Sequence, residues 1–186
     1  MPAVRNGTGK PFLRKVSDRS WLCYTFPMST FKVHVTKDYL TFCAAHFATY
    51  EGECEPLHGH NYRASVTVEG ELQADQFVFN FVTLKRLMRK LVDRLDHRLL
   101  LAADNEQMTI TTTGEEITVV ALGKRYVVPQ SDGLILPIAN TTAECLAQYL
   151  AGQLRAEIGH LPNLTACEME VSEVEGQSAF FREVWR

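Results

Sequence analysis

The chain has 186 residues, of which 46% are hydrophobic and 22% are charged, and its formal net charge is −3. This length and composition predict a single soluble globular domain with enough apolar material for a core. The charge excludes a general electrostatic attraction to nucleic acid, and no apolar run approaches the roughly 20 residues of a membrane-spanning helix.

The five cysteines are irregularly spaced, and no two of them form a Cys-x-x-Cys pair. This pattern does not predict a disulfide framework. The N-terminus carries basic residues without a continuous apolar segment, so we expect no secretory signal there. A reducing cytoplasm is therefore the expected location.

We divide the chain into an N-terminal extension, residues 1–30, and one domain, residues 31–186. Residues 5–11 are polar and rich in turn formers, and we assign no function before residue 30. The alternation that begins at Phe31 predicts a strand that continues through Tyr39 to His46. A second strand is predicted from His58 to Glu69, after a loop over residues 47–57.

Two histidines stand two residues apart at the start of this second strand. Side chains alternate along a strand, so His58 and His60 are expected to point to the same side, and Gly59 lets the backbone approach another group. A lone histidine is ordinarily a core or surface group. With His46 added, the set matches the three protein ligands and one open position of a catalytic zinc.

A helix is predicted after Asn80, which suits an N-cap. Its apolar side chains recur at the helical spacing, at Leu84, Leu87, Met88, Leu91 and Leu95. Asp96 and His97 follow at its C-terminal end. They suit either a surface pair favoured by the helix dipole or an acid–base pair in which the aspartate orients the imidazole.

An inserted segment, about residues 106–139, is predicted to contain a β-hairpin, with residues 125–128 as a candidate third strand. It would cover a site, extend a subunit contact, or decorate the surface. Beyond it, the residues Thr141-Thr142-Ala143-Glu144 fit a capping box that starts a second helix. A closing strand pair is predicted over residues 164–174 and 179–184.

Four motifs, in order along the chain, resemble the 6-pyruvoyl-tetrahydropterin synthase family, whose bacterial branch includes 6-carboxytetrahydropterin synthase of queuosine synthesis. The motifs are Cys54-x-x-x-His58-Gly59-His60-Asn61-Tyr62 with Ala44-Ala45-His46 upstream, Leu95-Asp96-His97, Thr141-Thr142-Ala143-Glu144, and Val171-Ser172-Glu173. The resemblance implies an α+β tunnelling fold (T-fold), a four-stranded antiparallel sheet with two helices on one face, here with the inserted hairpin. It also implies a homo-oligomer, a trimer or hexamer, with active sites between subunits.

The resemblance also implies the roles of individual residues. Zn²⁺ would be held by His46, His58 and His60. Proton transfer would fall to Cys54, Asp96 and His97, and pterin anchoring to Glu173. Thr142 and Glu144 would add contacts to the substrate besides starting their helix.

The three residues between Cys54 and His58 resemble the carboxytetrahydropterin branch. That branch converts 7,8-dihydroneopterin triphosphate to 6-carboxy-5,6,7,8-tetrahydropterin, releasing acetaldehyde and triphosphate. Glu55 also matches a variant branch with Glu-x-x-His-Gly-His, which forms 6-hydroxymethyl-7,8-dihydropterin for folate synthesis. The remaining alternatives are an ordinary loop carboxylate at Glu55, a 6-pyruvoyl product, and a zinc- or pterin-binding protein without turnover.

Overall fold

The structure, a computed structural model, describes residues 30–185, so the predicted N-terminal extension lies outside the described residues except for Thr30. The elements, in chain order, are β1 (Phe31–His46), β2 (Thr49–Tyr50), β3 (Glu53–Cys54), β4 (His58–Gly70), α1 (Phe81–Asp93), β5 (Arg98–Ala102), β6 (Met108–Thr113), β7 (Glu116–Ala121), β8 (Lys124–Pro129), β9 (Gly133–Leu136), α2 (Ala143–Ile158), β10 (Leu164–Val174) and β11 (Gln177–Val184). Within residues 30–185, neither helix is long and apolar enough to cross a bilayer.

The main sheet has six strands in the order β11-β10-β4-β1-β5-β9. Its four strands β11, β10, β4 and β1 are antiparallel, which confirms the predicted four-stranded sheet. Strands β5 and β9 add to the β1 edge by parallel pairing and make the sheet two strands wider than predicted. Their parallel direction is possible because α1 and the insert provide the long connections that parallel strands need.

Alternation along the strands separates an apolar face from a polar face. On β4 the buried residues Tyr62, Ala64, Val66 and Val68 point to one side and form the core with the helices. Helix α1 packs against β1, and α2 packs against β10 and β11. The start of α1 is fixed by Asn80, whose Oδ1 accepts hydrogen bonds from the first-turn backbone at 2.8 and 3.1 Å, as predicted.

The insert forms three antiparallel strands, β6-β7-β8, so the candidate third strand is present and the segment is more than a hairpin. It packs on the body of the protein through a second apolar cluster. The buried members of this cluster are Phe47, Cys54, Leu99, Leu101, Ile117, Val119 and Ala121. The insert therefore shares a core with the loop that precedes β4.

The polar face of the sheet carries a buried carboxylate, Glu69. Arg182 donates to its two oxygens at 3.3 and 3.1 Å, and Lys32 Nζ lies 3.0 Å from Oε1. The hydrogen bonds from Arg182, followed by that from Lys32, outweigh burial and lower the pKa of Glu69. In the acidic range the folded protein therefore binds fewer protons here than the unfolded chain does.

Glu69→Gln is expected to lower the free energy of unfolding by about 1–3 kcal/mol at neutral pH, because charge-assisted hydrogen bonds are lost. The wild-type contribution is present above the ordinary glutamate pKa and is lost as pH falls through the lowered pKa of the folded state. Urea unfolding at neutral and acidic pH measures it, with Glu116→Gln at an exposed position of β7 as the control. An equal deficit at both pH values would show that the ion pairs are not its cause.

Candidate active site

Three imidazoles meet where the apolar face of β1 and β4 ends. The antiparallel register places His46 opposite His58 and Ala44 opposite His60. The ring centroids lie 4.5 Å apart for His46 and His58, 5.2 Å for His46 and His60, and 5.0 Å for His58 and His60. The prediction that these three residues lie together is confirmed by this geometry.

Gly59 allows the two strands to approach at this point. A Cβ atom built on Gly59 would lie 2.9 Å from the carbonyl oxygen of Ala44 and 3.4 Å from Cα of Ala45. Any larger residue would push β4 away from β1. The backbone that the sequence predicted to come close to Gly59 is therefore that of β1.

The hydrogen bonds of the imidazoles determine which nitrogens are available. Nδ1 of His46 lies 2.9 Å from the carbonyl oxygen of Thr141, and Nδ1 of His58 lies 2.8 Å from that of Pro56. A carbonyl oxygen only accepts, so both Nδ1 atoms carry the hydrogen and both Nε2 atoms present a lone pair. Such a tautomer is the one in which Nε2 ligates a metal.

This donor set fits a metal ion. Nε2 of His46 is buried and has no hydrogen-bond partner among the described residues, which is costly unless something binds there. One nitrogen from each of His46, His58 and His60 lies within 4.8 Å of the others. Burial, followed by the proximity of His58, lowers the pKa of His46 to about 4, so this imidazole is neutral at physiological pH, as a ligand must be.

A cavity of about 510 Å³ opens beside the three imidazoles. The described residues of its wall include three carboxylates and neither lysine nor arginine. The lining residues are His46, Ala48, Glu55, His58, His60, Thr142, Ala143, Glu144, Glu173, Gly176, Gln177, Ser178 and Ala179. This volume is typical of small-molecule sites, and the wall suits a ligand rich in N–H donors whose anionic groups point outwards.

Glu173 reaches the cavity from the end of β10. It follows Met169 and Val171 on the core face of the strand, and the pairing with β11 is interrupted beside it by a register shift. Bulges of this kind redirect a side chain and are frequent next to active sites. Its Oε2 lies 3.9 Å from Nε2 of His60, close to the three-histidine set.

Cys54 and Glu55 lie on opposite sides of their loop. The Cys54 side chain is buried in the second apolar cluster, its Sγ is 3.5 Å from the carbonyl oxygen of Glu55, and burial raises the pKa of the thiol. Glu55 lines the cavity, and its Oε2 accepts a hydrogen bond from Ala48 N–H at 3.4 Å. Neighbouring residues of an extended chain point in opposite directions, so the carboxylate occupies the place expected for the thiol.

Asp96 and His97 contact each other as predicted but do not line this cavity. Asp96 accepts a hydrogen bond from Cys43 N–H at 2.7 Å and lies 3.0 Å from Nδ1 of His97, and these contacts lower the pKa of Asp96. The His97 side chain is 81% exposed. Its backbone is in the left-handed region, with φ of 57°, a strained conformation often found at functional sites.

Sequence reasoning missed the role of Thr141. The N-cap of α2 is Thr142, whose hydroxyl accepts from Cys145 N–H at 3.4 Å, so the predicted capping box does not form and Glu144 lies in the cavity wall instead. Thr141 is buried, and its hydroxyl donates to the carbonyl oxygen of Phe47 at 3.0 Å while its own carbonyl holds His46. Two adjacent threonines suit a cap equally well, so the spacing gave no signal for this difference.

Comparison with known proteins identifies related chains. A sequence model of the family described as 6-pyruvoyl tetrahydropterin synthase matches residues 34–184. A relative from Methanocaldococcus jannaschii, named putative 6-carboxy-5,6,7,8-tetrahydropterin synthase, is 32% identical over 146 residues, which are 77% of this chain and 90% of the relative.

Two solved structures share the fold. The 6-pyruvoyl tetrahydropterin synthase of Plasmodium falciparum is 29% identical with a TM-score of 0.78, over 84% of this chain and 99% of that chain. A Plasmodium vivax variant of the same name, in which a glutamate described as a catalytic residue is replaced by alanine, is 28% identical with a TM-score of 0.78 over the same shares, 84% and 99%. These similarities confirm the predicted tunnelling fold.

Proposed function

The chain belongs to the 6-pyruvoyl tetrahydropterin synthase family, and from this premise we propose that it is a zinc-dependent pterin lyase. The proposed reaction converts 7,8-dihydroneopterin triphosphate and one water molecule to 6-carboxy-5,6,7,8-tetrahydropterin, with release of acetaldehyde and triphosphate. The name of the Methanocaldococcus jannaschii relative, which aligns with 77% of this chain, supports this product. The observation that carries the proposal is the three-histidine donor set at the wall of a carboxylate-lined cavity.

The side chains of the cavity have distinct proposed tasks. A zinc ion bound by His46, His58 and His60 would act as a Lewis acid toward the hydroxyl oxygens of the substrate side chain. Glu173 accepts hydrogen bonds from the amino group and ring N–H of the pterin, since a carboxylate takes two parallel donors. Glu55 lines the same cavity and is proposed to accept a proton from the substrate side chain.

The triphosphate is expected to project out of the cavity. Glu55, Glu144 and Glu173 line the wall, and none of the described residues that line it is a lysine or arginine, so a polyanion placed among these carboxylates would be repelled. Thr142 and Glu144, at the start of α2, are proposed to contact the polar part of the substrate. The pterin ring then lies inside, and the phosphates lie toward solvent or another subunit.

A second candidate reaction forms 6-hydroxymethyl-7,8-dihydropterin. The observation in its favour is that Glu55, and not Cys54, faces the three imidazoles. The related Plasmodium vivax protein also has a glutamate as a catalytic residue. The position of Glu55 is thus compatible with either product and makes product identification the necessary experiment.

We further propose a homo-oligomer, a trimer or hexamer, in which Asp96 and His97 serve the cavity of a neighbouring subunit. The high exposure of His97 and the absence of both residues from the lining of their own chain's cavity support this arrangement. A cytoplasmic location is proposed because all four described cysteines are free thiols.

Product analysis by mass tests the proposed function. The purified protein is incubated with zinc and 7,8-dihydroneopterin triphosphate until the reaction stops, and we expect a carboxy-pterin together with acetaldehyde. Detection of a hydroxymethyl-pterin would contradict the first reaction and support the second. Recovery of unchanged substrate, with zinc bound, would identify a binding protein and contradict both reactions.

A further inference from the structure

The loop over residues 47–57, here called the Glu55 loop, is tied to the segment that surrounds the insert. Asn140 Nδ2 donates to the carbonyl oxygen of Thr49 at 2.9 Å and its Oδ1 accepts from Thr49 N–H at 3.3 Å. Asn105 Nδ2 donates to Thr49 Oγ1 at 2.9 Å. The two asparagines thus fix the first half of the loop from the two ends of the insert.

The insert itself fixes the second half of the loop. The turn between β7 and β8 consists of Leu122 and Gly123, both in the left-handed region with φ of 45° and 84°. This two-residue turn is followed by Lys124, whose Nζ donates to the carbonyl oxygen of Cys54 at 2.6 Å. The lysine is partly buried, so its hydrogen bond is shielded from water more than one at an exposed site.

Apolar packing between the insert and the Glu55 loop supports the hydrogen bond of Lys124. The rings of Phe47 and Tyr126 stack with centroids 4.7 Å apart and an interplanar angle of 24°. Cys54 lies in the same cluster, beside side chains of β7. The insert therefore contacts the underside of the Glu55 loop, on the side opposite the cavity.

The contact of Lys124 acts on the peptide unit that carries Glu55. The carbonyl of Cys54 and the N–H of Glu55 belong to one planar peptide group. Lys124 holds the carbonyl end at 2.6 Å, and Ala48 accepts from the N–H end at 2.9 Å. A peptide held at both ends is fixed in place, so the loop cannot move away from the insert and carry the Glu55 side chain from the imidazoles without breaking these hydrogen bonds.

We propose that Lys124 is a positioning residue: through the carbonyl of Cys54, the insert holds the Glu55 carboxylate at the cavity. This inference rests on the proposed function only in so far as Glu55 acts on a substrate. The insert is then a part of the catalytic apparatus, and not a decoration of the surface. Lys124 does not line the cavity and acts through its hydrogen bond to the backbone of the loop.

The test compares Lys124→Met, Lys124→Arg and the matched control Arg125→Met, which removes the neighbouring exposed cation on β8. Lys124→Met is expected to lower kcat on the order of ten- to a hundredfold, the cost of a small misplacement of a reacting group, with KM changed less than about twofold. Lys124→Arg keeps a donor and is expected to recover most of kcat. Arg125→Met is expected to match the wild type.

A second readout does not depend on any catalytic activity. The rate of iodoacetamide alkylation at Cys54, followed by peptide mass, and hydrogen exchange over residues 48–55 both report whether the loop opens. Both are expected to rise in Lys124→Met and to stay at the wild-type value in Lys124→Arg and Arg125→Met. If the wild type forms no pterin product, the proposed function fails while these two rates still decide whether Lys124 holds the loop.

Equal alkylation and exchange rates in Lys124→Met and Arg125→Met would overturn the inference. So would a loose loop accompanied by unchanged kcat, because the lysine would then be structural only. A fall in kcat that Lys124→Arg does not relieve, with alkylation unchanged, would also contradict it, since the effect would not pass through the loop.

Discussion

Glu55→Gln is expected to lower kcat by on the order of 10²–10⁴-fold, the usual contribution of a positioned acid–base group. The amide keeps the shape of the side chain but accepts no proton. Glu55 lines the cavity beside His58, so its replacement removes the carboxylate nearest in sequence to the imidazoles. Steady-state kinetics with dihydroneopterin triphosphate, together with the zinc content of the variant, measures the effect.

Cys54→Ala is the informative partner of this variant. The thiol is buried in the apolar cluster beneath the loop, so its loss is expected to leave kcat within a few-fold and to cost about 1 kcal/mol of stability. The reverse pattern, in which Cys54→Ala abolishes product formation and Glu55→Gln does not, would return the proton transfer to the thiol. It would also require the loop to adopt another conformation in the active protein, in which the Cys54 side chain faces the cavity.

His46→Ala is expected to lower zinc affinity by more than about 100-fold, because loss of even an outer contact to a metal ligand costs 10–100-fold. His46 is the buried member of the set, and its Nε2 has no other partner among the described residues. Product formation is expected to fall with the metal content. Zinc titration by calorimetry and elemental analysis measure the affinity and stoichiometry.

His34→Ala provides the matched control on the same strand. His34 lies on the opposite face of β1, where its Nδ1 is 3.0 Å from Thr67 Oγ1, and it does not line the cavity. It should retain one zinc per chain and wild-type turnover. Retention of zinc and activity by His46→Ala would show that the three-histidine set is not the metal centre.

The three-histidine set could be predicted from the sequence because it depends on the local geometry of two paired strands. Strand alternation places His58 and His60 on one side, and Gly59 allows the strand that carries His46 to pair closely. The same kind of local signal predicted the Asn80 cap and the stripe of α1. These features depend on a few neighbouring residues and were predicted with their correct positions, whereas the equally local capping box was placed one residue too early, because Thr142 is the N-cap of α2.

The side of the loop on which Cys54 and Glu55 lie could not be predicted in this way. It depends on contacts with Ile117, Val119 and Lys124, which are more than 60 residues further along the chain. The two additional parallel strands were missed for a similar reason. The residues of β5 form a short apolar run without alternation, and such a run does not identify its pairing partner.

The central claim is that His46, His58 and His60 bind one zinc ion beside Glu55, with the Cys54 thiol held away from it. Zinc K-edge X-ray absorption of the purified protein tests this most directly. The account predicts one zinc per chain with nitrogen and oxygen ligands only, at about 2.0–2.1 Å, and loss of the signal in His46→Ala. A sulfur ligand at about 2.3 Å, or full turnover by protein stripped of metal, would contradict it.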